Sequence, residues 1–213
     1  MVFAELERVI LQLAGRRGVR AALQAASQLL RTTAASDWLA EVLSGTELES
    51  LLRAIVSVDH VGFLASTDTV TVGELARANG FEGPQHAFAS TIIARELGAL
   101  EGVDNVPTTV LKASSAAGPN GRSHFVEIFM PERVSAETIR AWGERVPPHI
   151  AFALEKGAQL SSVTHALGRA GFHRPSYMRD GPLTNPAERT TALYFDGMLH
   201  ERPMRFEFLE YNA

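Results

Sequence analysis

The chain has 213 residues, of which 46% are hydrophobic and 21% are charged, a composition typical of a globular protein with one large or two small domains. Its net charge of −4 gives no reason to expect a nucleic acid or an anionic membrane as a partner. It contains no cysteine, which excludes disulfides, thiolate metal sites and cysteine nucleophiles and suits the cytoplasmic location that we expect.

The first residues, Met1 to Glu7, carry acidic side chains and lack the basic region and apolar core of a secretory signal. No apolar run in the chain approaches the roughly 20 residues that a membrane-spanning helix needs. We therefore expect neither a signal peptide nor a membrane span.

Residues 1–55 have the apolar spacing of helices. One stripe runs from Phe3 to Leu13, a second from Val19 to Leu30, and a short third begins at Trp38. The segment Thr46-Glu47-Leu48-Glu49 has the form of a capping box at the start of a further helix. These patterns predict an N-terminal helical subdomain over residues 1–55.

The apolar period changes at about Val56, and residues 56–64 are predicted to form a strand. Thr71-Val72-Gly73-Glu74 is a second capping box, opening a helix that Gly80 would end in the left-handed conformation. Residues 84–97 are ambiguous between helix and strand, whereas residues 106–114 have strand character. These elements begin a first module that we assign to residues 56–134.

A second module is assigned to residues 135–213. The pair Asn120-Gly121 predicts a turn before the strand around Glu127, and Ser135 is the expected N-cap of a linking helix over residues 135–145. The further elements that we predict are a strand at 148–154, a helix at 158–170, strands at 189–196 and 203–211, and a turn near Asp196-Gly197.

One pattern occurs twice in the chain. His60 lies in a short apolar run, and His149 lies in a similar run in the second half. Each run is followed by a helical stretch that ends in Gly-Phe, and each half closes on an apolar strand with an embedded glutamate, Glu127 or Glu207. A duplicated unit of this kind is what a protein needs to hold one metal ion between two copies of a motif.

The alternation of side chains along a strand places each histidine among small neighbours. His60 is expected to share its face with Gly62 and Leu64, and His149 to share its face with Ala151 and Ala153. The bulky residues between them would point away, towards the helices. The two histidine faces therefore have room for a metal ion, water and a substrate.

The two glutamates interrupt strongly apolar strands, where an unpaired carboxylate is costly and a cation would satisfy it. Glu210 is a rival to Glu207, but strand parity puts it on the opposite face. Two imidazoles and one carboxylate leave coordination positions open, which suits Fe(II), although Zn, Mn, Co or Ni accept the same ligands. If Glu127 also binds, the four ligands fit an isomerase or a lyase better.

At these residues the chain resembles the vicinal oxygen chelate superfamily, whose strand-borne His, Glu, His and Glu match His60, Glu127, His149 and Glu207. The resemblance covers roughly residues 56–213. It implies an α+β fold in which two βαβββ-type modules form a curved mixed sheet around a metal cup, here with an N-terminal helical subdomain.

Within that superfamily the chain looks most like the 2-oxoadipate dioxygenase/decarboxylase branch. The segments that carry this likeness are Asp59 to Phe63, Val126 to Phe129, Lys156-Gly157, Gly171-Phe172 and Glu207 to Tyr211. The resemblance implies Fe(II) with His60, His149 and Glu207 as ligands. It also implies oxidative decarboxylation of a 2-oxo acid, with both atoms of O₂ entering the product.

One residue departs from the pattern of that branch. An arginine that grips a substrate carboxylate usually stands four residues after the first histidine, where this chain has Leu64. We therefore expect a substrate other than 2-oxoadipate itself. Arg205 is expected on the same strand face as Glu207 and is a candidate for a relocated cation that binds the substrate, with an exposed position at the rim as the alternative.

Three functions are open at this point. The first is an Fe(II)-dependent dioxygenase that acts on a small 2-oxo or hydroxy acid, with O₂ as co-substrate. The second is a glyoxalase-type isomerase, epimerase or lyase in which Glu127 is the catalytic proton carrier. The third is a non-catalytic protein that binds a small molecule. We expect no nucleic acid or membrane partner, and a homodimer is one expected assembly.

Overall fold

A computed structural model describes residues 15–115, 123–143, 146, 148–158, 160–175, 183–185, 190–199 and 201–211. The chain divides into two compact units. The first unit comprises the described residues of Met1–Thr32 and His60–Pro148, and the second those of Thr33–Asp59 and His149–Ala213. The division into segments 1–55, 56–134 and 135–213 stays a prediction. In the part of the chain that is described, no helix combines the length and apolar character needed to cross a membrane.

The helices and strands follow one another in an order that mixes the two types throughout the chain. The helices are α1 (Gly15–Thr32), α2 (Ala35–Leu39), α3 (Gly45–Ala54), α4 (Thr69–Ala78), α5 (Thr91–Glu101), α6 (Ala136–Gly143) and α7 (Leu160–Arg169). The strands are β1 (Ile55–Leu64), β2 (Gln85–Ala89), β3 (Thr108–Ser114), β4 (Phe125–Pro131), β5 (His149–Leu154), β6 (Leu183–Asn185), β7 (Thr190–Leu199) and β8 (Arg202–Tyr211).

The strands of the first unit run in the spatial order β2-β3-β4-β1. The pair β1 and β4 is parallel, whereas β3 pairs antiparallel with both β4 and β2. Along the chain this is a βαβββ module in which α4 connects β1 to β2, and α5 is an additional helix between β2 and β3.

The strands of the second unit repeat this arrangement in the order β6-β7-β8-β5. Here β5 and β8 are parallel, and β7 pairs antiparallel with both β8 and β6. The connection from β5 to β6 contains α7, so the chain order is again βαβββ. The predicted α+β class, with two modules of mixed strand direction, is confirmed.

The bulky residues that alternate with the histidine-bearing face along β1 and β5 point into apolar cores, as predicted. Val61 and Phe63 of β1 are buried, and so are Ile150 and Phe152 of β5. The second unit has a core of packed aromatic rings, with Phe152 5.4 Å from Phe208 and Phe172 5.0 Å from Phe206, measured between ring centroids. These side chains lie on the face of β5 and β8 that is opposite to His149.

Two predicted helix starts are wrong by two or three residues. Helix α4 begins at Thr69, and its cap is Asp68, whose Oδ1 accepts a 2.8 Å hydrogen bond from the backbone N–H of Thr71. Helix α3 begins at Gly45 with Ser44 in the N-cap position. In both places two polar residues compete for the cap, and the earlier one occupies it because it alone has the extended backbone that a cap requires.

The remaining predictions of local structure have mixed outcomes. The ambiguous segment 84–97 contains both types of element, because Ser90 caps α5 through a hydrogen bond from Ile93 N–H and so separates it from β2. Gly80 has a φ of +96°, and Ser135 accepts a hydrogen bond from Thr138 N–H, both as predicted. The stripe from Phe3 to Leu13 and the Asn120-Gly121 turn lie outside the described residues.

The predicted turn at Asp196-Gly197 is wrong. Strand β7 continues through both residues, and its pairing with β8 extends to Leu199 opposite Arg202. The chain reverses after Leu199, and Glu201 adopts a left-handed φ of +66°. Asp196 is held within the strand by backbone hydrogen bonds in both directions with His173, so the Asp-Gly signal is overridden by a tertiary contact.

Candidate metal centre

The first half-site consists of His60 on β1 and Glu127 on β4. The parallel register pairs His60 with Phe125 and Gly62 with Glu127, so the histidine and the glutamate lie diagonally across two strands on one face. His60 Nε2 and Glu127 Oε2 are 3.6 Å apart. His60 is buried and Glu127 is partly buried. The predicted face of His60 therefore carries a carboxylate within reach of the imidazole.

Lys112 is part of the same face and was not singled out in the sequence. It lies directly opposite Glu127 in the antiparallel register of β3 and β4. Its Nζ is 3.3 Å from Glu127 Oε1 and 5.1 Å from the centroid of the Phe125 ring. A lysine in the middle of the apolar strand Thr108–Ser114 is the sequence signal that could have identified it.

The second half-site consists of His149 on β5 and Glu207 on β8. The register pairs His149 with Arg205 and Ala151 with Glu207, which again places the two residues diagonally on one face. His149 Nε2 and Glu207 Oε2 are 3.3 Å apart, and both side chains are 4% exposed. The imidazole also makes an edge contact with the Tyr194 ring at 6.4 Å between centroids.

Arg205 is buried and is paired with a carboxylate. Its Nε donates to Asp196 Oδ1 at 2.6 Å and its second terminal nitrogen donates to Asp196 Oδ2 at 2.8 Å, a bidentate arrangement. The guanidinium carbon lies 5.7 Å from the centroid of the Tyr194 ring. With a side chain that is 1% exposed, Arg205 is not the exposed rim residue of the alternative interpretation. Its binding of a substrate stays a prediction.

The two half-sites have the same strand register, but their charged neighbours stand at different positions. In each, the histidine pairs with the residue two positions before the glutamate, and the glutamate pairs with the small residue two positions after the histidine. Position by position, Phe125 corresponds to Arg205 and Lys112 corresponds to Tyr194. Each half-site therefore contains a cation and an aromatic ring, on exchanged strands.

Leu64, four residues after His60, lies in an apolar cluster rather than at an anion-binding position. Leu64 is 6% exposed. The other buried members of the cluster are Ile93, Leu97, Val106, Val110, Phe129, Ile139, Trp142 and Val146. A carboxylate at this position would have to be desolvated against hydrocarbon, so this end of the first half-site is closed to an anionic group.

In each half-site the spacing of the donor atoms fits a metal ion bound by the histidine and the glutamate of that half-site. A metal with ligand distances of about 2.1 Å and bond angles between 90° and the tetrahedral value places two ligand atoms about 3.0–3.4 Å apart. The His–Glu separations of 3.6 and 3.3 Å lie at or just beyond this range. Imidazole nitrogen and carboxylate oxygen are donors that Fe, Zn, Mn, Co and Ni all accept.

Residues beside the half-sites hold other parts of the fold. Tyr211 Oη donates to Asp59 Oδ1 at 2.8 Å, and Asp59 immediately precedes His60 in the chain. Glu210 Oε1 accepts a 2.7 Å hydrogen bond from Gly157 N–H, which agrees with its predicted position away from Glu207.

His165 is exposed on α7, as predicted.

A pocket of about 650 Å³ lies in the second unit between α3, α7 and the turn that precedes α7. Its lining is mixed in charge and includes Arg53, Glu155, Lys156, Ser161 and His165. None of the residues that we predict to bind a metal or a substrate lines it.

The fold and the two half-sites define an α+β protein with duplicated βαβββ modules and a duplicated, partly or fully buried His–Glu pair. No family model and no curated protein matches the sequence. Several solved structures are similar, and one of them is a variant of Streptomyces coelicolor methylmalonyl-CoA epimerase in complex with 2-nitronate-propionyl-CoA. It covers 75% of this chain and 100% of its own at 16% identity, with a TM-score of 0.46.

Two further similar structures are a 4-hydroxymandelate synthase and a fusion protein. A mutant of 4-hydroxymandelate synthase from Streptomyces coelicolor covers 73% of this chain and 49% of its own at 16% identity, with a TM-score of 0.47. A xylose isomerase-like TIM barrel/4-hydroxyphenylpyruvate dioxygenase fusion protein covers 75% and 26% at 15% identity, with a TM-score of 0.39. At 15–16% identity these three likenesses concern the fold alone.

Proposed function

We propose that this protein is a metal-dependent enzyme in which His60, His149 and Glu207 bind one ion. The observation that carries the proposal is the His–carboxylate pair at ligand spacing, which the chain builds twice in the same strand register. A repeat that keeps strand register and donor type in both copies is hard to explain by core packing, which would favour apolar residues at these positions.

The most specific form of the proposal is an Fe(II)-dependent dioxygenase/decarboxylase that acts on a small 2-oxo or hydroxy acid. His60 and His149 supply neutral nitrogen donors, and Glu207 supplies a carboxylate. When bound, ferrous iron would supply the redox chemistry with O₂ and open positions for two substrate oxygens. The apolar surroundings of Leu64 favour a substrate other than 2-oxoadipate.

A second ligand set that we propose consists of His60, Glu127 and His149, in which the partly buried carboxylate of the first half-site takes the place of Glu207. With Glu127 and Glu207 both bound, the site would have two nitrogen and two oxygen donors. Zn, Mn, Co or Ni would then be as suitable as iron.

A glyoxalase-type isomerase, epimerase or lyase is the second candidate function. It is favoured by the equivalence of Glu127 and Glu207, because either carboxylate has the position and the partner of a ligand. If Glu207 alone is bound, Glu127 is available to move a proton to and from a carbon next to a carbonyl group. Lys112 at 3.3 Å from Oε1 would hold the carboxylate while Oε2 carries the proton.

Oxygen uptake after anaerobic metal loading tests these functions. Protein purified without a chelating tag is stripped of metal, loaded with Fe(II) and mixed with a panel of 2-oxo and 2-hydroxy acids. We expect O₂ consumption and release of CO₂ with at least one acid, and loss of both in His60→Gln. The matched control is His165→Gln, which changes the exposed histidine of α7 and should behave as the unchanged protein.

The other possible results of this experiment would each point away from the dioxygenase. Conversion of substrate without O₂ uptake would support the isomerase or lyase and remove the dioxygenase. Ligand binding with no turnover by any metal form would leave a binding protein. A protein that retains no divalent metal after loading and gel filtration would overturn the proposal as a whole.

A further inference from the structure

The pocket between α3 and α7 has walls that are joined to one another by specific bonds. Glu155, which directly follows β5, donates its backbone N–H to the carbonyl oxygen of Ala54 at the end of α3, at 2.8 Å. Arg169 Nη1 at the end of α7 lies 2.9 Å from Glu47 Oε1 on α3. The cleft is therefore formed by the fold of the second unit itself, and a ligand would not have to organise it.

The turn at residues 155–158 carries Lys156 into the lining of this pocket. Gly157 has a left-handed φ of +77°, and its N–H donates to Glu210 Oε1 of β8 at 2.7 Å. Ala158 N–H donates to the carbonyl oxygen of Glu155 at 3.0 Å. Because these bonds fix the backbone of the turn, Lys156 is attached at a defined point. The Lys156-Gly157 pair has no part in the metal centre proposed above, so its role is still to be assigned.

Charge compensation makes the lining more cationic than its composition. Arg53 and Lys156 supply two positive charges, and Glu47 and Glu155 supply two negative ones. The charge of Glu47 is compensated by Arg169, which is not itself a lining residue. Hydroxyl groups add further hydrogen-bond donors to the lining, and they belong to Thr46, Ser50, Ser161 and Ser162.

The floor of the pocket is apolar. Leu51 of α3 and both Val163 and Ala166 of α7 are buried and line the pocket from below the charged groups. The volume of about 650 Å³ lies within the range of about 300–1,000 Å³ that is usual for small-molecule sites. The pocket is therefore large enough for an organic molecule with several polar groups rather than for a single small ion.

We propose that this pocket binds a phosphate monoester of a small hydroxylated molecule. A phosphate dianion has enough acceptor oxygens to use the guanidinium of Arg53 and the ammonium of Lys156 together, and the serine hydroxyls can donate to the others. Arg53 can exchange its present partner for the ligand, because its pair with Glu49 at 3.7 Å is exposed to solvent and weak. Glu155 can accept from the hydroxyl groups of the ester, whose carbon atoms would lie over the apolar floor.

Calorimetric titration of the full chain with matched compounds tests the inference. Glycerol 3-phosphate, glucose 6-phosphate and adenosine monophosphate are each compared with the unphosphorylated parent compound and with inorganic phosphate. The titrations use protein as purified and protein stripped of metal, because a phosphate group is also a ligand for metal ions. We expect saturable binding of at least one ester to both forms, about tenfold or more tighter than binding of its parent compound or of inorganic phosphate.

Three variants at exposed positions locate the site. Arg53→Met and Lys156→Met should each weaken binding of that ester by about fivefold or more, because each removes one of the two cations. Ser50→Trp fills the cleft without a change of charge and should weaken binding at least as much. The control is Arg95→Met, since Arg95 is an exposed residue of α5 in the first unit and its loss changes the net charge by the same amount.

Several results would overturn the inference. They are the absence of saturable binding for all three esters, an equal loss of affinity in Arg95→Met, and unchanged affinity in Arg53→Met, Lys156→Met and Ser50→Trp. Inorganic phosphate that binds as tightly as the esters would show a simple anion site and remove the ester. Binding that requires metal would place the ester at the metal centre instead. Failure of the protein to bind metal would overturn the proposed function and leave this inference unaffected.

Discussion

Glu207 lies diagonally across from His149 on neighbouring parallel strands, with 3.3 Å between Oε2 and Nε2 and both side chains almost completely buried. Desolvation of a carboxylate in a core of this kind is expensive unless a cation or a set of hydrogen bonds compensates it. The pair is therefore a specific feature of the second unit, and its removal should be measurable separately from the folding of the strands around it.

Glu207→Gln should weaken metal binding by at least about tenfold, because the amide that replaces the carboxylate carries no charge and is a poor ligand. Metal content after dialysis against a chelator of known affinity measures the effect. Glu210→Gln is the matched control, since Glu210 lies on the opposite face and its amide oxygen can still accept from Gly157 N–H. Equal losses in the two variants would contradict the assignment of Glu207.

Asp196→Ala should lower the free energy of unfolding by about 2 kcal/mol, because it removes the bidentate partner of the buried Arg205. This loss should be smaller than that for a fully buried pair, because the Asp196 side chain is 35% exposed. Urea unfolding measures this loss.

The control for that prediction is an exposed ion pair in the same unit. Arg53 and Glu49 are 3.7 Å apart with side chains that are 80% and 67% exposed. Glu49→Ala should therefore cost less than about 0.5 kcal/mol. A similar cost for both substitutions would mean that the Arg205 pair contributes no more than a surface contact.

Leu64→Arg should lower the free energy of unfolding by about 3 kcal/mol or more, because it places a charge among buried hydrophobic side chains. Leu64→Met keeps the volume and should cost less than about 1.5 kcal/mol. Thermal and urea unfolding compare the two. A Leu64→Arg protein of unchanged stability would show that this position accepts a cation and restore it as an anion-binding position.

Asp68→Ala should lower the urea midpoint of unfolding, because it removes the N-cap of α4 and its bonds to Thr71. Those hydrogen bonds hold the pKa of Asp68 below its ordinary value, and the bond from the Thr71 hydroxyl is the largest cause. The cap therefore contributes stability above the unfolded pKa and loses it as the pH falls through the lower folded pKa.

The difference in midpoint between the unchanged protein and Asp68→Ala should accordingly be constant near neutral pH and shrink in acid. Glu74→Ala is the control, because it removes the residue that would close the predicted Thr71 capping box but leaves the Asp68 cap in place. If Glu74→Ala is the more damaging substitution, the cap has been assigned to the wrong residue.

Several features of the site were predictable from the sequence because they depend on local periodicity. The alternation of side chains in a strand repeats every two residues, so His60 with Gly62, and His149 with Ala151, could be placed on one face without knowledge of the partner strand. The two modules were visible for a related reason, since duplicated motifs keep the same order of elements. The same alternation placed Glu210 on the strand face opposite to that of Glu207.

The sequence alone did not determine which residues face one another across strands. Lys112 and Glu127 are 15 positions apart in the printed sequence, and their contact depends on the register of β3 against β4. The Arg205–Asp196 pair and the continuation of β7 through Gly197 depend in the same way on strand pairing and on the bridge to His173. Helix caps at Ser44 and Asp68 were missed because neighbouring polar residues have similar propensities.

The sequence by itself determined the duplicated pattern, the faces of the two histidine strands and the types of donor atom. Only the tertiary structure decided the charged partners, which are Lys112 for Glu127 and Asp196 for Arg205, two residues before Glu207 on the same strand. The physical reason is that side-chain direction along a strand is set by the local backbone, whereas register is set by the whole sheet and the core behind it.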